Sequence, residues 1–130
     1  MTAVGSVDVE AELIGWLDTV LDARVLTDLP ADLGSVLPVV QVQRVGGYDD
    51  GFRLDRALVD IDVYAATREA ASALMAQTRS KLLTELRGVA TDTAVFTVAR
   101  TIAAPAWRPY ENPALRRFGA SFEIYCHPVS

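Results

Sequence analysis

The side chains able to do chemistry are few, and their spacing keeps them apart. His127 is the one histidine and Cys126 the one cysteine, and they are adjacent in the chain. Phe118, Ala120, Phe122, Ile124 and Cys126 alternate with Gly119, Ser121, Glu123, Tyr125 and His127. That is the period of an antiparallel strand with one buried face. Neighbours on a strand point to opposite faces, so Cys126 and His127 cannot act as a thiol–imidazole pair. An inward small cysteine and an edge-exposed histidine is the reading that remains. Asp60 and Asp62 do share a strand face, and two carboxylates there are the beginning of a divalent-cation site or of a small metal-dependent hydrolase. No ligand loop and no further histidine or cysteine accompanies them, so a solvated or channel-facing acidic strip is preferred. The run Gly46–Gly51, GGYDDG, lacks the lysine-bearing pattern of a phosphate loop and reads as a turn. Arg108, Arg116 and Arg117, with Trp107 and Tyr110, could stack on bases or bind phosphates. Three prolines stiffen that segment, APAWRPYENPALRR, and Trp, Tyr and Arg are the residue types that anchor protein interfaces. No catalytic residue, cofactor or metal is assigned, and an enzyme is not expected.

The elements that must position these residues are organised around Ala57–Arg87. Val59, Ile61 and Val63 point one way and Asp60, Asp62 and Tyr64 the other, which is the alternation of a half-buried strand. The period changes at Ala65–Ala66. Thr67 can cap a helix running to about Arg87, with Gly88 to end it. Ala71, Leu74, Thr78, Leu82 and Leu86 form its apolar stripe, widened by Met75 and Leu83. Residues 7–23 read as an earlier helix with Leu13, Ile14, Leu17, Val20 and Leu21 on one side, extended by Val9 and Trp16. A short strand is expected around Arg24–Thr27, a strand over Val39–Val45, and a hairpin tip at Gly46–Gly51 leading into Phe52–Ala65. Ala94–Ala103 reads as a strand with Phe96, Val98 and Ile102 on one face, followed by the loop Ala104–Arg117 and the last strand. The order predicts an α+β domain: a mostly antiparallel sheet of four to five strands with two helices packed on one face. Leu74, Leu82, Ile61, Phe122 and Ile124 should share one core. The other sheet face would carry Gln41, Gln43, Asp60, Asp62, Tyr64, Glu123, Tyr125 and His127, with Leu58 and the tyrosines suited to a subunit contact.

Bulk properties narrow the function classes. A chain of 130 residues with 51% apolar and 22% charged residues is an ordinary globular domain. A single cysteine excludes an internal disulfide framework and suits a reducing compartment during folding. No apolar run is long enough to span a bilayer, and MTAVGSVDVEAEL lacks the basic start and apolar stretch of a signal peptide, so no membrane partner is expected. The net charge of −5 argues against generic wrapping of nucleic acid. Eleven arginines against the single Lys81 suggest a GC-rich source.

The runs QVQRVGGYDDGFRLDRALVDIDVYAATREAASALMAQTRSKLLTEL and PAWRPYENPALRRFGASFEIYCHP resemble the tail terminator family of long-tailed phages of actinobacteria. The shared pattern is a strand ending in Val-Gly-Gly, a strand like LVDIDVYA, a helix opening on T-R-E-A, and a Pro-rich loop leading to a final R-x-x-A-S-F-E-I strand. The resemblance spans about Pro38–Pro128, with Met1–Leu37 agreeing only in having a helix first. It implies a structural virion protein at the head-proximal end of the tail, assembled in the host cytoplasm as a homo-oligomer, typically a hexameric ring. Such a ring ends polymerisation of the tail tube protein and offers a surface to the head–tail connector. Six copies at −5 each would place −30 around a channel through which DNA passes without specific binding. Asp60 and Asp62 are the candidate lining of that channel, the Asp49–Asp50 tip being another possible source. Tyr48, Asp49, Asp50, Trp107, Arg108 and Tyr110 are the candidate assembly contacts, and neither of their two segments is expected to hold the monomer together. The alternatives are a head-closure or tail-completion protein of the connector, and a cellular oligomeric module that binds a small ligand.

Overall fold

In the computed structural model, which describes residues 7–129, the elements run α1 (Val9–Val20), β1 (Arg24–Leu26), β2 (Val39–Asp49), β3 (Asp55–Ala65), α2 (Arg68–Thr84), β4 (Ala94–Trp107) and β5 (Arg116–Pro128), with a 3₁₀ turn at Leu33–Ser35. The five strands form one sheet in the order β1-β2-β3-β5-β4. The short β1 lies parallel to β2, and every other pairing is antiparallel. The architecture is the expected α+β fold.

Each helix begins where a side chain satisfies a free backbone N–H. Asp8 Oδ1 accepts from Ala11 N at 3.0 Å, and Thr67 Oγ1 accepts from Ala70 N at 3.1 Å. α2 then buries Ala71, Leu74, Met75, Thr78 and Leu82, and Leu86 just beyond its end is buried too. Thr78 spends its hydroxyl on the Leu74 carbonyl, 2.8 Å away, and so tolerates the core. α1 adds Val9, Leu13 and Leu17 to the same cluster, where both helices meet Val40, Val42, Val59, Ile61, Val63, Phe122 and Ile124 from the sheet. Full burial of each large side chain there contributes about 1.5–3 kcal/mol. Leu83 departs from the expected stripe: it is 40% exposed, one step round the helix from buried Leu82.

Both helices are shorter than expected, and several strand boundaries also differ from the sequence expectation. β2 does not turn at Gly46–Gly47 but bulges there, between Arg44 and Gly46, and continues to Asp49. Gly46 (φ +154°) and Gly47 (φ +113°) supply the backbone freedom, and a Cβ on Gly47 would overlap the Arg56 carbonyl oxygen of the paired strand. The hairpin therefore turns later, through residues 50–54. β4 continues past Ala103 to Trp107 and β5 starts at Arg116, so the connecting loop is residues 108–115. Pro105 is tolerated inside β4 because β4 is an edge strand. Register shifts along β4 between Phe96 and Val98, and again between Thr101 and Ala103, break the expected common face. Phe96 is buried while Ile102 is 51% exposed.

The sheet face away from the helices is covered at one end. Leu33, Val39, Tyr64 and Leu115 form a second buried cluster, with Leu37 and Tyr110 packed on it. Tyr64, expected on an open polar face, is buried. Its hydroxyl donates to Gln41 Oε1 at 3.0 Å, Gln41 Nε2 donates to the Thr27 carbonyl at 3.0 Å, and loop 108–115 folds over the ring. A buried tyrosine and glutamine are accommodated when their polar ends are partnered in this way.

Candidate assembly surfaces

The β2–β3 hairpin is the first surface. Its tip is shaped by its own carboxylates: Asp49 Oδ1 accepts from Gly51 N at 2.8 Å, and Asp50 Oδ1 accepts from the amides of Phe52, Arg53 and Leu54 at 2.8–3.0 Å. These bonds, that from Phe52 first, hold the Asp50 carboxyl below its ordinary range. The tip leaves Tyr48 and Phe52 more than half exposed. Tyr48 is also the first member of a row across the polar face. The Arg56 guanidinium lies 5.1 Å from the Tyr48 ring centre and 5.3 Å from that of Tyr125, and Arg56 Nη1 donates to Tyr48 Oη at 3.1 Å. Arg100 pairs with Glu123 at 2.9 Å beside this row.

The base of the hairpin is braced from the helix side. Arg44 makes two 2.7 Å bonds to the buried Asp55 carboxylate. Glu10 of α1 accepts the Arg44 backbone N–H at 2.8 Å, satisfying an amide at the start of the bulge. Neither Glu10 nor Arg56 could be singled out from local sequence, because their partners lie on other elements.

Trp107, Arg108 and Tyr110 form the second surface, and all three are engaged within the chain. Trp107 packs edge-on against Phe118, with ring centres 5.6 Å apart, and Arg68 of α2 caps its ring at 4.9 Å. Tyr110 packs edge-on against Tyr64 at 5.3 Å, with the Arg117 guanidinium over its ring at 5.4 Å. Arg108 Nη1 reaches Asp62 Oδ1 at 3.5 Å. The loop thus closes the second core, contrary to the expectation that it plays no part in holding the monomer.

Asp60 and Asp62 share the polar face as expected, and each has a partner. Ser121 Oγ donates to Asp60 Oδ1 at 2.6 Å. Asp62 is largely buried, and burial raises its pKa above the ordinary carboxylate value, with Arg108 and Arg117 pulling the other way. Among the described residues no group of three or more His, Cys, Asp and Glu is placed to hold a metal. Cys126 is buried on the helix side and half-buried His127 faces the other way. Burial pushes the Cys126 thiol to about 11, so it stays protonated near neutral pH.

A third surface was not anticipated. β4 is a 14-residue edge strand, and Ile102, Ala103, Ala104 and Ala106 along its second half are exposed. A long apolar edge of this kind is a ready site for pairing with another chain.

Comparison with known proteins gives these surfaces a context. No curated protein matches the chain. Among solved structures, a chain of the virion of a native gene transfer agent particle is similar over 95% of this chain and 88% of that one, with a TM-score of 0.56 and 16% identity. That likeness is one of fold. The family model described as phage tail termination protein matches residues 5–100, from before α1 to within β4 and so including the hairpin and α2. On that match, the chain belongs to the phage tail termination protein family and is a structural component of a phage tail.

Proposed function

We propose that this protein forms a ring, typically of six copies, on the head-proximal end of the tail tube. There it ends polymerisation of the tube protein and presents its other rim to the head–tail connector. The observation that carries the reading is the family match over residues 5–100, and the exposed hairpin tip and apolar β4 edge give the surfaces such an assembly needs. DNA passes through the channel without being gripped, in keeping with the net charge of −5. The face of Asp60 and Asp62 is the proposed lining. Its acids are partnered by Ser121 and Arg108, and Arg56, Arg100 and Arg117 share that face, so it does not make a dense acidic ring. Tyr48, Asp49 and Asp50, with Trp107, Arg108 and Tyr110, remain the proposed contact segments.

Native mass spectrometry of the purified protein, alone and with polymerising tail tube protein, tests the reading. A closed oligomer that shortens tubes and sits at one end, seen by negative-stain microscopy, is the expected result. A strict monomer with no effect on tube length would overturn it.

A further inference from the structure

A groove of about 440 Å³ lies between the outward side of α2 and the second half of β4, lined by Met75, Ala76, Arg79, Leu83, Pro105 and Phe118 among others. Its size is in the range of sites that bury a ligand, about 300–1,000 Å³. Arg79 is the one charged residue among its described lining residues. The hairpin tip has the complementary character: exposed Tyr48 and Phe52 flank the carboxylates of Asp49 and Asp50.

The two surfaces cannot meet within one molecule. The tip leaves the sheet where Asp55 pairs with Cys126, and the groove lies where Phe118 pairs with Val63. Eight residues of β3 separate these ends, about 26 Å of strand at about 3.3 Å per residue. We propose that the hairpin tip of one copy docks in the α2–β4 groove of the next, with Phe52 in the apolar part and the tip carboxylates towards Arg79. Each copy then offers one tip and one groove. Such a head-to-tail contact closes into a ring if the rotation closes and otherwise runs on as a filament. The inference deepens the ring reading and rests on it.

The test is complementation between two variants. Phe52→Asp removes the tip's apolar anchor and keeps the groove, whereas Leu83→Asp spoils the groove and keeps the tip. Ala76→Glu is the second groove variant, in case Leu83→Asp folds poorly. Both sites are exposed, so circular dichroism melting curves should match the parent. Each variant alone should need about tenfold or more protein to assemble. A 1:1 mixture should give a dimer of one copy of each, which cannot grow into a ring. If the parent forms rings and both variants do so equally well, the docking assignment is wrong and the ring reading stands. Assembly lost in one variant only, or no dimer in the mixture, also overturns the pairing of tip with groove. A parent that stays monomeric, both alone and on tail tubes, removes the ring reading and this inference with it.

Discussion

Arg108 Nη1 meets Asp62 Oδ1 at 3.5 Å across the bare backbone of Gly119. Gly119 stands opposite Asp62 in the β3–β5 register, and a Cβ there would overlap both the carboxylate and the guanidinium. One missing side chain therefore makes room for one of the contacts that tie loop 108–115 to the sheet.

The pair predicts a pH-dependent stability. Burial raises the Asp62 pKa above its ordinary value while Arg108 opposes the rise. A raised folded-state pKa means the fold favours the protonated acid. Its stabilising contribution is complete below the unfolded-state pKa and is lost as pH rises through the folded one. Arg108→Ala removes the main opposing charge, so it should cost about 1–3 kcal/mol at neutral pH. That deficit should shrink as pH falls towards the carboxylate range. Urea denaturation of both proteins between about pH 4 and pH 8 checks this, and a deficit that ignores pH would mean Arg108 acts by packing alone.

Gly119→Ala should displace the same pair, since the colliding atoms are the mobile ends of two side chains. Its cost, about 1–3 kcal/mol, should not add to that of Arg108→Ala. A double-mutant cycle by chemical denaturation should show a coupling of about 1 kcal/mol or more. Additive losses would place the cost of the new methyl group elsewhere.

Adjacent leucines of α2 separate burial from exposure. Leu82→Ala empties a site that is 1% exposed and should cost about 2–5 kcal/mol. Leu83→Ala, at a site 40% exposed, should change stability by less than about 0.5 kcal/mol. Thermal melts of the two variants give the contrast directly, and similar losses would contradict the orientation of the helix.

The sequence was informative where the signal is local and periodic. β5 alternates without a break, and Thr67 followed by an apolar stripe marks α2, so both were legible and so was the covered face of the sheet. Ambiguity arose where one residue type serves two purposes. Gly46–Gly47 satisfies a turn equally well as a bulge with close backbone approach, and only the partner strand decides. Pro105 reads as a loop residue until β4 is known to be an edge. The site residues divide the same way. Tyr48, Trp107 and Arg108 stand out by type, whereas their neighbours in space, Arg56, Arg68 and Gly119, depend on contacts between strands and helices far apart in the chain. Tyr64 alternates with the core residues of β3 and reads as exposed, because nothing local shows that loop 108–115 returns to cover it.

Trp107 tests how far a contact residue also serves the monomer. It ends β4 half-buried, edge-on to Phe118 and beneath the Arg68 guanidinium, so it joins the loop, the sheet and α2. Such a side chain contributes by area and by its ring contacts, and Trp107→Ala should cost about 1–3 kcal/mol in the isolated protein. By contrast, Phe52→Ala at the exposed tip should leave the melting temperature nearly unchanged. Assembly assays on Trp107→Ala therefore belong well below its own Tm, where the subunit is still folded. If the folded variant still caps tail tubes, Trp107 acts within the subunit and the tip carries the contact between chains. If the folded variant leaves tubes of uncontrolled length, the aromatic end of β4 is itself part of an interface. An unchanged melting temperature would mean that the Trp107–Phe118 contact does not hold β4 and β5 together.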